Sequence, residues 1–486
     1  MTKQVISKNK DQTKTPVATT LRNILATVKT FPDHKNIAYA KIGGQAMPMR
    51  SEAFSAWLTS QAIRLYPDIV LSKKAVDDAI YTAIAHARQK PAEKVYVRVA
   101  RVGSKVYLDC GDDYIEATED GVQVLSSPAP VNFVRADGWL PIDMSNPQGN
   151  LDDFFSLLNL PTDDRILIWG WLTNIASGGS GQFPLLILSG EQGTAKSTIA
   201  GFLSSLVDPK VAGLSSPFKD EQNLCITASR EYVLAFDNLS KLTSEASDAL
   251  CRLADGTGIK LRTLYTNDEQ TVFSSARPVI LTGITIEAWR GDLADRSIQI
   301  RLEPIPAASR QRLADLKEAF ESLHAGALLD LMESVSTGLR NLGRPAANLP
   351  RMADFVAFVS GAEAGRYEAG EFLLAFNANQ KDSLKSIADD DLFIDALRYA
   401  TRDGFSDTLT NLFARLPAPK PVAGYPTTRK SLSNWLGRNA PMLRALGWQV
   451  ENERRTQARI WNITPPTATT VEEIVDAKLG GILVDA

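Results

Sequence analysis

An unbroken apolar run, Leu185-Leu186-Ile187-Leu188, passes through Ser189 into Gly190-Glu191-Gln192-Gly193-Thr194-Ala195-Lys196-Ser197-Thr198 and on into Ile199-Ala200-Gly201-Phe202-Leu203. Consecutive apolar residues without alternation suit a strand buried on both faces, as in a parallel sheet. The glycines permit tight turns, and the run after Thr198 has the spacing of an amphipathic helix. Strand, tight loop and helix in that order aim the loop's backbone N–H groups and the helix N-terminus at one spot, which suits an anion. The Lys-Ser pair closing the loop makes that anion a polyphosphate: Lys196 reaches the β- and γ-phosphates and the Ser197 hydroxyl holds Mg²⁺. Gly190, Glu191, Gln192, Gly193, Thr194, Ala195, Lys196, Ser197 and Thr198 are therefore the expected nucleotide-binding residues, with ATP and Mg²⁺ as cofactors. The pattern departs at Ala195, where a glycine ordinarily precedes the lysine. The bland alternative is a glycine-containing turn without a ligand.

A chain of 486 residues predicts roughly three domains. No apolar run approaches the ~18 residues of a membrane span, and the polar N-terminus lacks an apolar signal core, so no membrane partner is expected and the location is cytoplasmic. Cys110, Cys225 and Cys251 stand singly, which disfavours a disulfide framework or zinc knuckle. His34, His86 and His324 are equally scattered, leaving metal ligation and His-based nucleophilic catalysis without a constellation. The net charge is −3, but between Lys420 and Ile460 eight basic residues face two acidic ones. Such local asymmetry is the footprint of a phosphate-contacting surface.

The patterning divides the chain further. Residues 1–15 are polar without periodicity and read as a disordered tail. Residues 16–92 read as an N-terminal helical domain, with helical spacing at Ser51–Leu65 and Lys73–Ala87 and caps at Ser51 and Ser72. Residues 93–150 read as a small β unit plus linker: Val95–Val99, Val106–Asp109 and Val122–Leu125 alternate between glycines, and prolines follow. Residues 151–306 alternate strand and helix signals. There Tyr232–Phe236 ends in Asp237-Asn238, and Pro278–Leu281 ends in Thr282-Gly283. Parallel strands with crossover helices are the natural solution, and ligands bind at the strands' carboxyl ends. Residues 307–388 read as a helical lid or collar and 389–466 as helices followed by a hairpin, the pattern of a winged helix. Residues 467–486 form an acidic tail.

That placement assigns chemistry. Asp237 is the expected partner of Ser197 at Mg²⁺, against the alternative of an Asp that caps the next turn. Asn238 stands where a Glu often orients the attacking water; an amide hydrogen-bonds that water without taking its proton. Thr282 is expected to contact the γ-phosphate or position the water, unless it is a turn residue. Arg296, with Arg290 second, is the candidate for a finger that reaches the nucleotide of a neighbouring subunit. A salt bridge at Asp295 is the bland alternative there. In the last unit Arg429, Lys430 and Arg438 would face DNA from a helix, and Arg454 and Arg455 from the hairpin tip. A merely solvated basic face is the alternative.

The order of loop, Asp237-Asn238 strand, Gly256–Tyr265, Thr282 strand and Arg296 resembles the superfamily-three helicases of viruses and plasmids, AAA+-like ATPases. More narrowly, the Gly-Glu-Gln-Gly-x-Ala-Lys-Ser loop looks like the ATPases of prophages and mobile genetic elements that accompany a primase-polymerase. The resemblance implies that the segment between the second and third strands is a β-hairpin that grips single-stranded DNA, with Lys260 and Arg262 at its basic positions. Here the tip, Thr266-Asn267-Asp268-Glu269, is acidic, and Thr282 stands where the family usually has Asn. The resemblance further implies an ATP-dependent DNA helicase or translocase, a ring-shaped homo-oligomer expected to be a hexamer, acting in the replication of a phage or mobile element. The first 140 residues carry no primase carboxylate cluster, so priming would belong to a separate primase-polymerase. The alternative is an ATP-regulated DNA-binding scaffold, or a partition or defence ATPase, without unwinding. A small-molecule kinase gives no role to the basic C-terminal unit.

Overall fold

The computed structural model describes residues 17–179, 181–239, 242–262, 270–273, 276–283, 291–343, 349–417, 425–454 and 459–466. The expected N-terminal and C-terminal tails, the hairpin tip, Arg290 and Arg455 lie outside the described residues. The fold is mixed α/β. The apolar strand is Leu185–Ser189, and it is flanked by Val279–Gly283 on one side and Ser297–Arg301 on the other, with Leu234–Phe236 beyond Val279–Gly283. All three pairings are parallel. Leu186 and Leu188 face one hydrophobic core while Leu185 and Ile187 face another, so the run shows no alternation because water reaches neither face.

The sheet's open edge is closed by side chains. Asn379, on helix Glu371–Asp390, accepts from the Gln299 N–H at 3.0 Å and donates to the Gln299 carbonyl at 2.6 Å, as a further strand would. Gln380 Nε2 donates to the Ser297 carbonyl at 2.5 Å. Satisfying the edge's backbone groups in this way leaves no template there for another chain.

The helices after Pro306 do not form a unit apart. Helix Leu313–Arg340 shares one core with Leu151–Ser156 and Arg165–Ala176, in which Phe154, Trp169, Phe202, Phe320, Phe355 and Phe372 are all buried. The Trp169 indole donates to Ser334 Oγ at 3.1 Å, and Arg366 spans Asp152 and Asp330 at 2.6 and 3.1 Å. A boundary at residue 306 therefore cuts a continuous apolar cluster. The composition changes there because helices replace strands, not because the core ends.

The N-terminal region is corrected in two ways. Residues 16–92 are not all helical: Lys29–Pro32, Ala38–Ile42 and Gln45–Pro48 are strands, and they join Asn132–Phe133 and Val95–Tyr96 in a five-stranded sheet. Their short alternation is hidden by Pro32, Gly43 and Gly44, and part of the pairing comes from residues far along the chain. The expected single strand Val95–Val99 is two strands in two different sheets. Val95–Tyr96 belongs to the five-stranded sheet, and Val99–Val102 opens a four-stranded antiparallel meander with Lys105–Asp109, Asp113–Thr118 and Gly121–Ser126. The break falls at Arg98, which has φ 59° and no exposed surface.

The C-terminal unit carries helices Leu392–Thr401, Leu409–Arg415 and Arg429–Ala445, with strands Phe405–Thr408, Gln449–Arg454 and Arg459–Thr464. The strands form one antiparallel sheet with Arg459–Thr464 in the centre. The expected hairpin is present, and Phe405–Thr408 adds a third strand that the sequence reading missed. Helix Arg429–Ala445 starts at a Thr428–Ser431 capping box and runs past Pro441.

Candidate nucleotide-binding site

Gly190 opens the loop with φ 149°, and a Cβ there would stand 2.5 Å from the Leu302 carbonyl oxygen. Only glycine fits such a contact. The far end of the loop is strained instead: Ala195, the residue that precedes helix Lys196–Val207, has φ 62° and ψ 26°. That conformation costs an L-residue about 1–2 kcal/mol, which is why glycine ordinarily stands there. Ala195→Gly is therefore expected to raise the unfolding free energy by about 1 kcal/mol, net of the greater freedom of glycine in the unfolded chain. Denaturant titration checks this, and a less stable variant would contradict it.

Lys196 folds over the loop that precedes it. Its Nζ donates to the carbonyls of Gly190 at 2.7 Å and Glu191 at 2.6 Å, and to Thr194 Oγ1 at 3.2 Å. Partial burial draws the ammonium below its ordinary pKa, against the opposing pull of Asp237. Thr194 is fully buried and donates to the Glu191 carbonyl at 3.1 Å.

The loop is braced from a segment that sequence reading passed over. The Ile305 N–H donates to the Gly193 carbonyl at 3.1 Å, and Asn159 Nδ2 donates to the Glu303 carbonyl at 2.8 Å and more distantly to Thr194. Arg310 donates to the Ile305 carbonyl at 3.3 Å, and its Nη2 lies 3.4 Å from where a Cβ on Gly193 would sit. Asn159 and Arg310 belong to no motif spacing. Chain reversal after strand Ser297–Arg301 brings Arg310 to the loop, and the turn after helix Leu151–Ser156 brings Asn159.

Asp237 follows strand Leu234–Phe236, and its two carboxylate oxygens accept from the Ser197 hydroxyl at 2.9 and 3.0 Å. The expected Ser197–Asp237 pair is thus assembled across 40 residues of chain. Mg²⁺ takes one or two protein oxygens and fills its octahedron with water and phosphate oxygens, so this set of hard donors fits it. Thr282 is only 1 % exposed. Its hydroxyl donates to Asp237 and accepts from the Asn238 N–H at 3.0 Å. Through these two bonds Thr282 holds Asp237 in place. Asn238 adopts φ 60°, a left-handed conformation that Asn tolerates, and its side chain is exposed.

Arg296 departs most from expectation. Ser297 pairs with Leu185 in the parallel register, so Arg296 lies at the amino end of the sheet, whereas the loop follows Ser189 at the carboxyl end. A five-residue strand separates them by roughly 16 Å. The guanidinium points inward: Nη2 and Nε pair with Asp255 at 2.8 Å and Nη1 donates to the Asp292 carbonyl at 2.8 Å. A buried, paired arginine is not an outward finger, and its partner is Asp255, not the Asp295 of the salt-bridge alternative. Asp295 meets Arg351 at 3.7 Å.

Of the expected DNA-contacting residues, Lys260 and Arg262 lie on strand Ile259–Arg262, paired antiparallel with Gln270–Phe273, so the hairpin is present. Arg429, Lys430, Arg438 and Arg454 are exposed. Lys430, Asn434 and Arg438 are spaced by four and share one face of their helix, opposite the buried Leu432, Leu436 and Leu443. Among the described residues, no helix is long and apolar enough to cross a membrane.

The family model described as the actinomycete integrative conjugative element replication protein matches residues 151–390, and that of the AICE RepA C-terminal domain matches residues 393–474. No curated protein matches the sequence. Among solved structures, the A-form apo structure of the NrS-1 C-terminal region is 13% identical with a TM-score of 0.35, covering 92% of this chain and 99% of that one. A second apo structure of that region is 13% identical with a TM-score of 0.35, covering 93% and 100%. A crystal structure of JCV helicase with a substituted N-phenylacetamide bound is 15% identical with a TM-score of 0.25, covering 56% of this chain and 67% of that one.

Proposed function

We propose that this chain, which belongs to the AICE RepA family of replication proteins, is an ATP-dependent DNA helicase or translocase built on a phosphate-loop core. The observation that carries the reading is the convergence of Lys196, Ser197, Asp237 and Thr282 at the carboxyl end of a parallel sheet, where such sheets bind ligands. In this reading the loop N–H groups and Lys196 hold the β- and γ-phosphates of ATP. Ser197 and Asp237 hold Mg²⁺, which offsets phosphate charge when bound. Thr282 fixes the Asp237 carboxylate, and the Asn238 amide hydrogen-bonds the attacking water without accepting its proton. Arg310, beside Gly193, supplies a second cation from within the subunit.

The C-terminal helices and three-stranded sheet act as a winged helix, with Lys430, Asn434 and Arg438 toward DNA and Arg454 on the wing. The Ile259–Phe273 hairpin enters the channel of a homo-oligomeric ring, expected to be a hexamer, and grips one strand. A separate primase-polymerase supplies primers. The test is strand displacement on a forked duplex by the full chain with ATP and Mg²⁺. Unwinding that Asp237→Asn abolishes is the expected result. Hydrolysis that leaves the fork intact would instead favour an ATP-switched DNA-binding scaffold, a reading to which Asn238 in place of a general base lends weight.

A further inference from the structure

A large cavity among the described residues lies away from the phosphate loop, at the amino end of the parallel sheet. Its volume is about 1030 Å³, and its wall includes Lys94, Tyr96, Arg101, Gly256, Asp354 and Phe358. Drug-sized ligands fill roughly 300–1,000 Å³, so this space holds more than one nucleotide. Two cations stand over aromatic faces within it. Lys94 Nζ lies 4.9 Å from the Tyr96 ring centroid, and the Arg101 guanidinium lies 5.1 Å from that of Phe358.

The charge balance favours an anion. Arg101 donates only to the Gly179 carbonyl, at 3.5 Å, and no carboxylate among the described residues pairs with it. Half-burial lowers the guanidinium's pKa, a loss of hydration that an anion in the cavity would offset. Of the two acids on the wall, Asp255 is committed to Arg296 and Asp354 sits exposed in the first turn of helix Ala353–Ala362.

The position selects the kind of anion. Gly256 lines the cavity three residues before strand Ile259–Arg262, so the cavity adjoins the root of the hairpin. Phe183 lines its floor, and strand Leu185–Ser189 runs from there to the phosphate loop, linking the two ends of the sheet. Single strands are held without sequence preference by cations on phosphates and aromatic faces on bases, the combination gathered here. We infer that this cavity is a docking site for single-stranded nucleic acid, which Lys94 and Arg101 hold by its phosphates and Tyr96 by a base. The inference rests on the proposed DNA-dependent motor and adds a contact site to it.

Fluorescence anisotropy of a labelled oligothymidylate of about 20 nucleotides, titrated with the full chain plus a non-hydrolysable ATP analogue at several salt concentrations, tests it. Each phosphate contact on a single strand contributes about 0.7 to the slope of log K against log salt. The Lys94→Gln, Arg101→Gln double variant is expected to bind about tenfold more weakly, with a slope shallower by about 1.4. Lys94→Gln alone changes an exposed residue that cannot unfold the chain, and is expected to lower the slope by about 0.7. Arg101→Lys should restore part of what Arg101→Gln loses. Unchanged affinity and slope in the variants, when the wild-type chain binds the oligonucleotide, would overturn the cavity site and leave the proposed motor standing. A wild-type chain that binds no oligonucleotide would overturn both.

Discussion

Replacing Lys196 by alanine is expected to slow ATP hydrolysis by about 10²–10³-fold, a loss of about 3–4 kcal/mol of transition-state stabilisation. The ammonium is the only cation within the loop Gly190–Thr198, beside the Glu191 carboxylate of opposite sign. It lies on the carbonyls of Gly190 and Glu191, one residue from the Ser197–Asp237 pair. Lys196→Arg should rescue little, because a planar fork does not replace a compact point charge inside a tight loop. Both variants should keep their thermal midpoint close to wild type, since the hydrogen bonds lost are half-exposed ones to backbone oxygens. Steady-state hydrolysis under saturating ATP and Mg²⁺ decides the matter. A rate within a few-fold of wild type would remove Lys196 from the reaction and leave the loop a structural turn.

Arg98→Ala is expected to cost about 3–5 kcal/mol of stability, the ordinary penalty for leaving one partner of a buried ion pair uncompensated. Arg98 is wholly buried, pairs with Asp208 at 3.0 Å, and donates to the carbonyls of Asp109, Leu140 and Pro209. The Trp139 ring lies 4.3 Å from its guanidinium carbon. Burial alone lowers the guanidinium's pKa, while Asp208 holds the proton on. Asp208 closes helix Lys196–Val207 and also accepts the N–H groups of Tyr232 and Val233, the approach to the Asp237 strand. One ion pair thus joins the meander, the phosphate-loop helix and the strand that carries Asp237.

Replacing the Arg98–Asp208 pair together with apolar residues should not restore stability, although such swaps often do for isolated pairs. Here it would strip the arginine donor from the Asp109 and Leu140 carbonyls and the carboxylate from the Tyr232 and Val233 N–H groups. In thermal unfolding the loss should appear as a fall of roughly 10 °C in the first transition. Lys29→Ala is the contrast: it breaks the exposed Lys29–Glu93 pair and should cost under about 1 kcal/mol. Equal effects from the two substitutions would show that Arg98 is not the joint its contacts indicate.

The parts legible before folding were those whose physics is local. The strand, loop and helix from Leu185 to Phe202 announce themselves because apolar run, glycine and helical spacing are contiguous, and the caps at Ser51 and Ser72 are found where expected. Asp237 was legible because a carboxylate that ends an apolar strand has few other uses. What escaped were roles set by residues far apart in the chain. Nothing in the spacing showed that the Thr282 hydroxyl bonds both Asp237 and the Asn238 N–H. Arg296 looked outward-facing because a strand begins just after it, yet the register placed it at the sheet's other end against Asp255. The strands from Lys29 to Pro48 were missed because proline and paired glycines interrupt a pattern only four or five residues long.

The sequence by itself determined where the strand, loop and helix from Leu185 to Phe202 must lie, because backbone conformation and side-chain period depend on near neighbours. It also showed, at Ala195, a departure whose meaning stayed open. Tertiary structure decided that Ala195 takes the left-handed turn at a cost, that Arg296 is a buried strut, and that Arg98 is the joint between three elements. It also decided that Lys94 and Arg101 share a cavity. Such pairings follow from which groups are forced out of water together, and that is set by the folded chain as a whole.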